Sequence, residues 1–237
     1  RLRSCGETIF PNKRPTSLWC VLVLLFLCKS SPAEVISRTK AYQNLSPTRI
    51  HSNFESDFNG INGRVLTGYQ GWFRAPGDGS QLGFTHYQKK GKFEPGNCSI
   101  DLWPDLTEFS EGEKFATPFR FADGSVAHVF SSLHPETVHR HFLWMRQYEI
   151  DGAFVQRFAL HGAKLRKNNR RLKYENQKLM LCRDSALRNE RCWALMYDLT
   201  GLKDEDFDLL AEDWKNLRKR MQLGSDPNDT SYLQFKG

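Results

Sequence analysis

The chain lacks the short motifs that mark several common kinds of site. It has no GxxxxGK[ST] segment and no strand–GxGxxG–helix arrangement, so the Gly-Asp-Gly sequence at residues 77–79 does not indicate a phosphate-binding loop. It also has no CxxC pair and no histidine-rich spacing of the kind that binds zinc. We therefore expect neither a metal ion nor a cofactor.

Long hydrophobic runs are also missing. The apolar run from Leu18 to Cys28 has about eleven residues, whereas a membrane-spanning helix needs roughly twenty. Lys13 and Arg14 precede this run, and Ser31-Pro32-Ala33 follows it, which is the order of parts in a secretory signal peptide cleaved after Ala33. We expect a secreted protein without stable membrane insertion after cleavage. A signal-anchored membrane protein is the alternative.

Residues 1–33 are set aside as signal peptide and upstream sequence; the chain begins with Arg1 and not with methionine, so residues 1 to about 12 are interpreted as upstream translation. They carry five basic residues and one acidic residue, so a surplus of about +3 remains of the net charge of +7. A surplus of this size does not indicate a nucleic-acid partner. Three of the six cysteines remain, and Cys182 and Cys192 are spaced to close a short loop, a pairing that the sequence leaves open.

Strand and helix patterns alternate after a polar lead-in at residues 34–63, which is expected to lie over the surface. The predicted strands cover residues 64–69, 125–132, 153–157 and 191–197, with a further strand-like piece at 100–105, and the predicted helices begin near residues 135, 164 and 204. Such alternation favours a parallel sheet, either a barrel or a doubly wound layer. A complete (β/α)₈ barrel takes about 250 residues. We predict an α/β fold of the TIM-barrel type, with the first half to two-thirds of the barrel in residues 64–237.

Polar or aromatic residues stand where the predicted strands end, and ligands of parallel α/β folds are bound at that edge of the sheet. Gln156 and Arg157 follow the apolar run of the central strand, and Gln70 and Trp72 follow the first strand. Trp72 is either a core residue or a platform for a flat ligand such as a sugar ring. In the second block, Asp101 is the better candidate for a site, because Asp105 is expected to cap a turn.

Six Lys and Arg residues lie between residues 164 and 173, on a predicted helix. Such a run can contact nucleic acid or an anionic membrane. A charged run at helical spacing is more often a solvated outer face, and we favour that interpretation.

Five ordered blocks carry a resemblance to a known family: VLTGYQGWF at 65–73, IDLWPDLTEF at 100–109, HVFSS at 128–132, HFLWMRQYEIDGAFVQRF at 141–158 and WALMYDLTGL at 193–202. In these blocks the chain resembles glycoside-hydrolase-like proteins related to families 99 and 71, often labelled xylosidase/arabinosidase. The resemblance implies a (β/α)₈ barrel, secretion and hydrolysis of glycosidic bonds in an oligo- or polysaccharide. The related family 99 enzymes are endo-acting α-mannosidases or mannanases.

The resemblance also implies a set of carbohydrate-binding residues, to which His86 in the loop 75–96 is added: Tyr69, Gln70, Trp72, Asp101, Trp103, Gln156, Arg157, Tyr197 and Asp198. Glycosidases need two positioned carboxyl groups. In family 99 those glutamates lie on later strands, beyond Gly237, so Asp101 and Asp198 are only weak catalytic candidates. The 237-residue chain is therefore expected to show no turnover alone. A secreted, non-catalytic carbohydrate-binding protein is the alternative.

Overall fold

The structure is a computed structural model, and it describes residues 34–51 and 60–234. The expected signal peptide lies outside these residues. The elements in chain order are α1 (Arg38–Tyr42), β1 (Leu66–Tyr69), β2 (Phe115–Arg120), β3 (Val126–Val129), α2 (Pro135–Gln147), β4 (Gly152–Phe158), α3 (Ala159–Ala163), α4 (Arg170–Arg188), β5 (Cys192–Asp198) and α5 (Phe207–Met221).

A parallel sheet of three strands, in the order β1-β4-β5, is the centre of the mixed α/β fold. Leu66 pairs with Gly152, and Gly152 pairs with Cys192, so the three strands start at one level. A side chain at Gly152 is excluded, because its Cβ would lie 2.1 Å from the carbonyl oxygen of Cys192. The expected parallel sheet is therefore confirmed, whereas the described residues do not form a closed barrel.

The helices α2, α4 and α5 pack on one face of this sheet and form the main core with it. Val138 and Phe142 of α2, Leu179 of α4 and Leu217 of α5 are fully buried in this core, which also contains Trp193 of β5. Pro135 begins α2, where a missing N–H has no helical partner to lose. Successive apolar residues at helical spacing thus explain why these segments are helices and which face each one buries.

The predicted strand at 125–132 does not belong to the parallel sheet. Its central part, β3, pairs antiparallel with β2, which the sequence analysis missed, and residues 100–105 form no strand. A turn at Ala122-Asp123-Gly124 connects β2 to β3, and Asp-Gly is a typical hairpin turn sequence. We call residues 73–130 the hairpin lobe, since a second cluster of buried aromatic residues lies within them.

Two further segments differ from the prediction. The lead-in is not only a surface segment, because Ile36, Ala41, Tyr42 and Leu45 are buried in the main core. The helix expected from residue 164 begins at Arg170, after the short helix α3. Cys182 and Cys192 are both free and buried, so the possible disulfide between them is not formed.

Candidate functional site

Neighbouring candidate residues point to opposite faces of the parallel sheet, because side chains alternate along a strand. Tyr69, Arg157 and Tyr197 are on the face that the helices cover. The Tyr69 ring packs 5.8 Å from that of Phe142, and the Tyr69 hydroxyl lies 2.9 Å from Nδ1 of His141. Tyr69 and Arg157 are therefore buried in the core, and Tyr197 packs against it, partly buried, so all three were wrongly predicted to line the pocket.

Arg157 belongs to a buried network that joins four elements. Its guanidinium donates to both carboxylate oxygens of Asp213 in α5, at 2.7 and 2.8 Å, and both side chains are 0% exposed. The hydroxyls of Tyr42 and Tyr197 donate to the same carboxylate. Burial raises the pKa of Asp213, but Arg157 outweighs it, so the pKa is lowered and the carboxylate stays ionised.

Gln70 and Gln156 lie at one level at the carboxyl ends of β1 and β4, and a buried lysine joins them. Lys178 of α4 is 1% exposed, and its Nζ donates to the backbone carbonyls of Gln70 (3.1 Å) and Gln156 (2.7 Å). Gly71 has φ of +55°, and a Cβ there would lie 2.7 Å from Cδ of Lys178. The turn after β1 therefore needs glycine so that the lysine can approach.

The side chains of Gln156 and Asp198 form a pair on the sheet face opposite the helices. Nε2 of Gln156 donates to Oδ2 of Asp198 at 2.6 Å, and the backbone N–H of Thr200 donates to Oδ1 at 2.9 Å. Hydrogen bonds from Thr200 lower the pKa of Asp198. The pair therefore presents an ionised carboxylate and an amide, both partly exposed, to a ligand with hydroxyl groups.

Trp72 and His86 form an aromatic stack beyond the end of β1. Their ring centroids are 4.3 Å apart and the planes are 11° from parallel. His86 has φ of +66°, a conformation that costs energy for a residue other than glycine and that is often found at functional sites. Partial burial, with Arg74 and Arg171 nearby, lowers the pKa of His86, so its ring is neutral at pH 7.

Three functional candidates escaped the sequence analysis because they lie on or beside α4. Glu175 is 7% exposed, its Oε2 accepts from Lys178 at 2.7 Å, and its Oε1 lies 3.8 Å from Nδ1 of His161. Burial raises the pKa of Glu175, but the nearby Lys178 ammonium has the larger effect and holds this pKa well below its usual range. The helical spacing of Glu175 and Lys178 predicts a solvated salt bridge, and only the packing reveals that both are buried.

Asp101 and Trp103 are in the hairpin lobe, away from the strand ends. Trp103 stacks on Phe93 at 5.9 Å and donates from Nε1 to the carbonyl of His128, while Asp101 is exposed. Asp105 caps a turn by accepting from the backbone N–H of Thr107, as the sequence predicts. Trp103 also lines a cleft of about 620 Å³ in this lobe, together with Phe121 and His128.

The chemistry of the strand-end site is that of hydrogen bonding rather than proton donation, because Asp198 and Glu175 are both held ionised. Among residues 34–51 and 60–234, no group of three or more His, Cys, Asp or Glu side chains is arranged to hold a metal ion. Within the same residues, no helix is both long enough and apolar enough to cross a membrane.

Comparison of the chain with models of protein families, with curated proteins and with solved structures found no match.

Proposed function

We propose that the protein is a secreted, glycoside-hydrolase-like protein that binds an oligo- or polysaccharide at the carboxyl ends of β1, β4 and β5. The observation that carries the proposal is the occurrence, at this edge, of the Trp72–His86 stack and the Gln156–Asp198 pair. A sugar ring has an apolar C–H face, which packs on aromatic rings, and hydroxyls, which bond to carboxylates and amides. Gln70, exposed at the same level, supplies a further amide.

A (β/α)₈ barrel is the proposed architecture, with β1, β4 and β5 as adjacent strands of its wall. A doubly wound sheet has helices on both faces, whereas α2, α4 and α5 all pack on one face here. The opposite face carries Leu66 and Phe154, which are partly buried, and Met196, which is exposed. Because parallel sheets are normally covered on both faces, this face is suited to the interior of a barrel.

The edge residues are assigned to binding and orientation of the sugar. Glycoside hydrolysis needs one carboxylic acid that is protonated near neutral pH. Asp198 and Glu175 have lowered pKa values, so neither can serve as that acid. This favours a second candidate, a secreted carbohydrate-binding protein without catalysis, and the family resemblance favours the hydrolase.

Calorimetric titration with mannotetraose, xylotetraose and arabinotetraose tests the binding proposal. We expect one of these neutral sugars to bind, and Asp198→Asn to weaken it by about tenfold, since a hydrogen bond to a charged group contributes roughly 1.5 kcal/mol or more. Asp208→Asn is the matched control, because Asp208 is exposed in the first turn of α5. Equal affinities of wild type and Asp198→Asn would contradict the assignment. Release of reducing ends from the bound sugar distinguishes the hydrolase from the binding protein.

A further inference from the structure

A second concave surface lies where α3 leads into α4. It is a cavity of about 290 Å³, and its charged lining consists of Arg166, Arg170 and Arg171, with His161 and Asn169 also in the lining. We call it the arginine pocket. Ligand pockets usually range from about 300 to 1,000 Å³, so this one has room for about one sugar ring. Arg171 and His161 of this lining act electrostatically on His86 of the Trp72–His86 stack.

The positive charge of the arginine pocket is largely uncompensated. Arg166 and Arg171 are exposed, and neither forms an ion pair in the part of the chain that the structure describes. The Arg170 guanidinium donates to a backbone carbonyl, that of Glu34, at 3.0 Å. The pocket is also at the N-terminus of the 19-residue helix α4, whose dipole adds positive potential. An anionic group is therefore the ligand that the charge favours.

One buried polar atom in the same lining calls for a hydrogen-bond donor instead. Asn169 is 2% exposed, and its Nδ2 donates to the carbonyls of Ile36 (3.2 Å) and Arg166 (3.0 Å), whereas its Oδ1 has no partner in the described chain. A simple anion offers only acceptors and cannot satisfy Oδ1 of Asn169. A ligand that combines an anionic group with hydroxyls matches both kinds of group.

We infer that the arginine pocket binds a uronic acid unit of the carbohydrate, with Arg166 and Arg171 on its carboxylate and Asn169 accepting from a ring hydroxyl. The planar fork of a guanidinium matches a carboxylate in two parallel hydrogen bonds. The inference rests on the proposed function and narrows its substrate class to acidic oligosaccharides.

Two probes test the inference: tetragalacturonate and its fully methyl-esterified form, in which each carboxylate is replaced by a neutral methyl ester. Each is titrated calorimetrically into the full chain at low ionic strength. We expect the acid to bind at least tenfold more tightly than the ester. The double variant Arg166→Gln/Arg171→Gln is expected to weaken acid binding at least tenfold and to leave ester binding within twofold. Both arginines are exposed, so the variant should keep the wild-type unfolding temperature. Arg188→Gln, an exposed charge at the other end of α4, is the control and should change neither affinity.

Equal affinity for the acid and the ester would overturn the inference that the arginine pocket binds a uronic acid unit. Acid binding that the double variant leaves intact would overturn it as well. If the ester or a neutral tetrasaccharide still bound in a Trp72-dependent manner, the proposed carbohydrate-binding function would stand without the uronic acid inference. Absence of binding by every saccharide would refute both. Tighter binding of a thymidine 20-mer than of tetragalacturonate, with the same arginine dependence, would assign the pocket to nucleic acid and overturn the inference as well.

Discussion

Lys178 is the single residue on which the shape of the strand-end site most depends. Its ammonium bonds to two strand-end carbonyls and to Glu175, so it holds β1, β4 and α4 together at the edge where we propose that sugar binds. A buried cation is tolerated only when its protons are satisfied, and here three oxygens accept them. Because Glu175 neutralises the Lys178 cation, the ionised state of Glu175 has a structural explanation and does not require a catalytic role.

His141 is the residue that gives the fold a specific pH dependence. It packs between Tyr69, Phe130 and Trp144, and burial, with Arg140 nearby, lowers its pKa to about 4. The unfolded chain binds this proton near pH 6.5, so the folded state is disfavoured only after the pH falls below that value. The contribution of neutral His141 to the free energy of unfolding is therefore fully present above pH 6.5 and is lost progressively between pH 6.5 and 4.

His141→Gln tests this at the residue scale. The glutamine keeps a polar partner for the Tyr69 hydroxyl but cannot titrate. We expect wild type to lose about 2–3 kcal/mol of unfolding free energy between pH 7 and 4 through this group, and the variant to lack that part of the loss. Urea unfolding at several pH values measures it, with His128→Gln, a partly exposed histidine in β3, as control. Parallel pH profiles of wild type and His141→Gln would refute the role.

At the scale of elements, the Arg157–Asp213 network joins α1, β4, β5 and α5. The lead-in helix α1 depends on it directly, since the Tyr42 hydroxyl donates to Asp213. This explains why a polar segment that the sequence places on the surface is partly core. The network also fixes how α5 sits against the carboxyl half of β4 and β5.

Asp213→Asn is expected to destabilise the protein by about 3–5 kcal/mol, because it leaves the Arg157 charge buried without a counterion. Thermal or urea unfolding measures the loss. Asp208→Asn, at an exposed carboxylate five residues before Asp213 in the same helix, should change stability by less than about 0.5 kcal/mol. A loss below 1 kcal/mol for Asp213→Asn would show that Arg157 finds another partner.

Elements with one dominant pattern were predictable from the sequence, and elements that depend on distant partners were not. The apolar runs of β4 and β5 and the stripe of α2 indicate their structure locally. β2 contains Pro118 and alternates with polar residues, and its pairing with β3 is visible only in three dimensions. For the site, Gln70, Gln156 and Asp198 lie at or near the ends of β1, β4 and β5, as expected, and their role in binding stays a prediction. Of two adjacent strand residues, such as Gln156 and Arg157 or Tyr197 and Asp198, the sequence does not show which one faces the helices. The positions of Arg157 and Tyr197 on the helix-covered face were therefore not predicted.

At the scale of the whole molecule, the parallel sheet and the hairpin lobe offer two separate surfaces with aromatic residues. The lobe joins α2 through Glu113, whose carboxylate accepts from Arg140 at 2.7 Å and is 1% exposed. One surface contains Trp72 at the strand ends, and the other contains Trp103 in the 620 Å³ cleft. We propose that the carbohydrate binds at the first surface.

The most direct test is therefore to follow the tryptophan indole N–H signals of ¹⁵N-labelled protein by NMR during titration with the bound tetrasaccharide. The chain has six tryptophans, so each surface has its own reporter within one sample. We predict that the Trp72 signal shifts in proportion to saturation while the Trp103 signal stays in place. A shift of Trp103 with an unchanged Trp72 would contradict the account and move the binding site to the hairpin lobe.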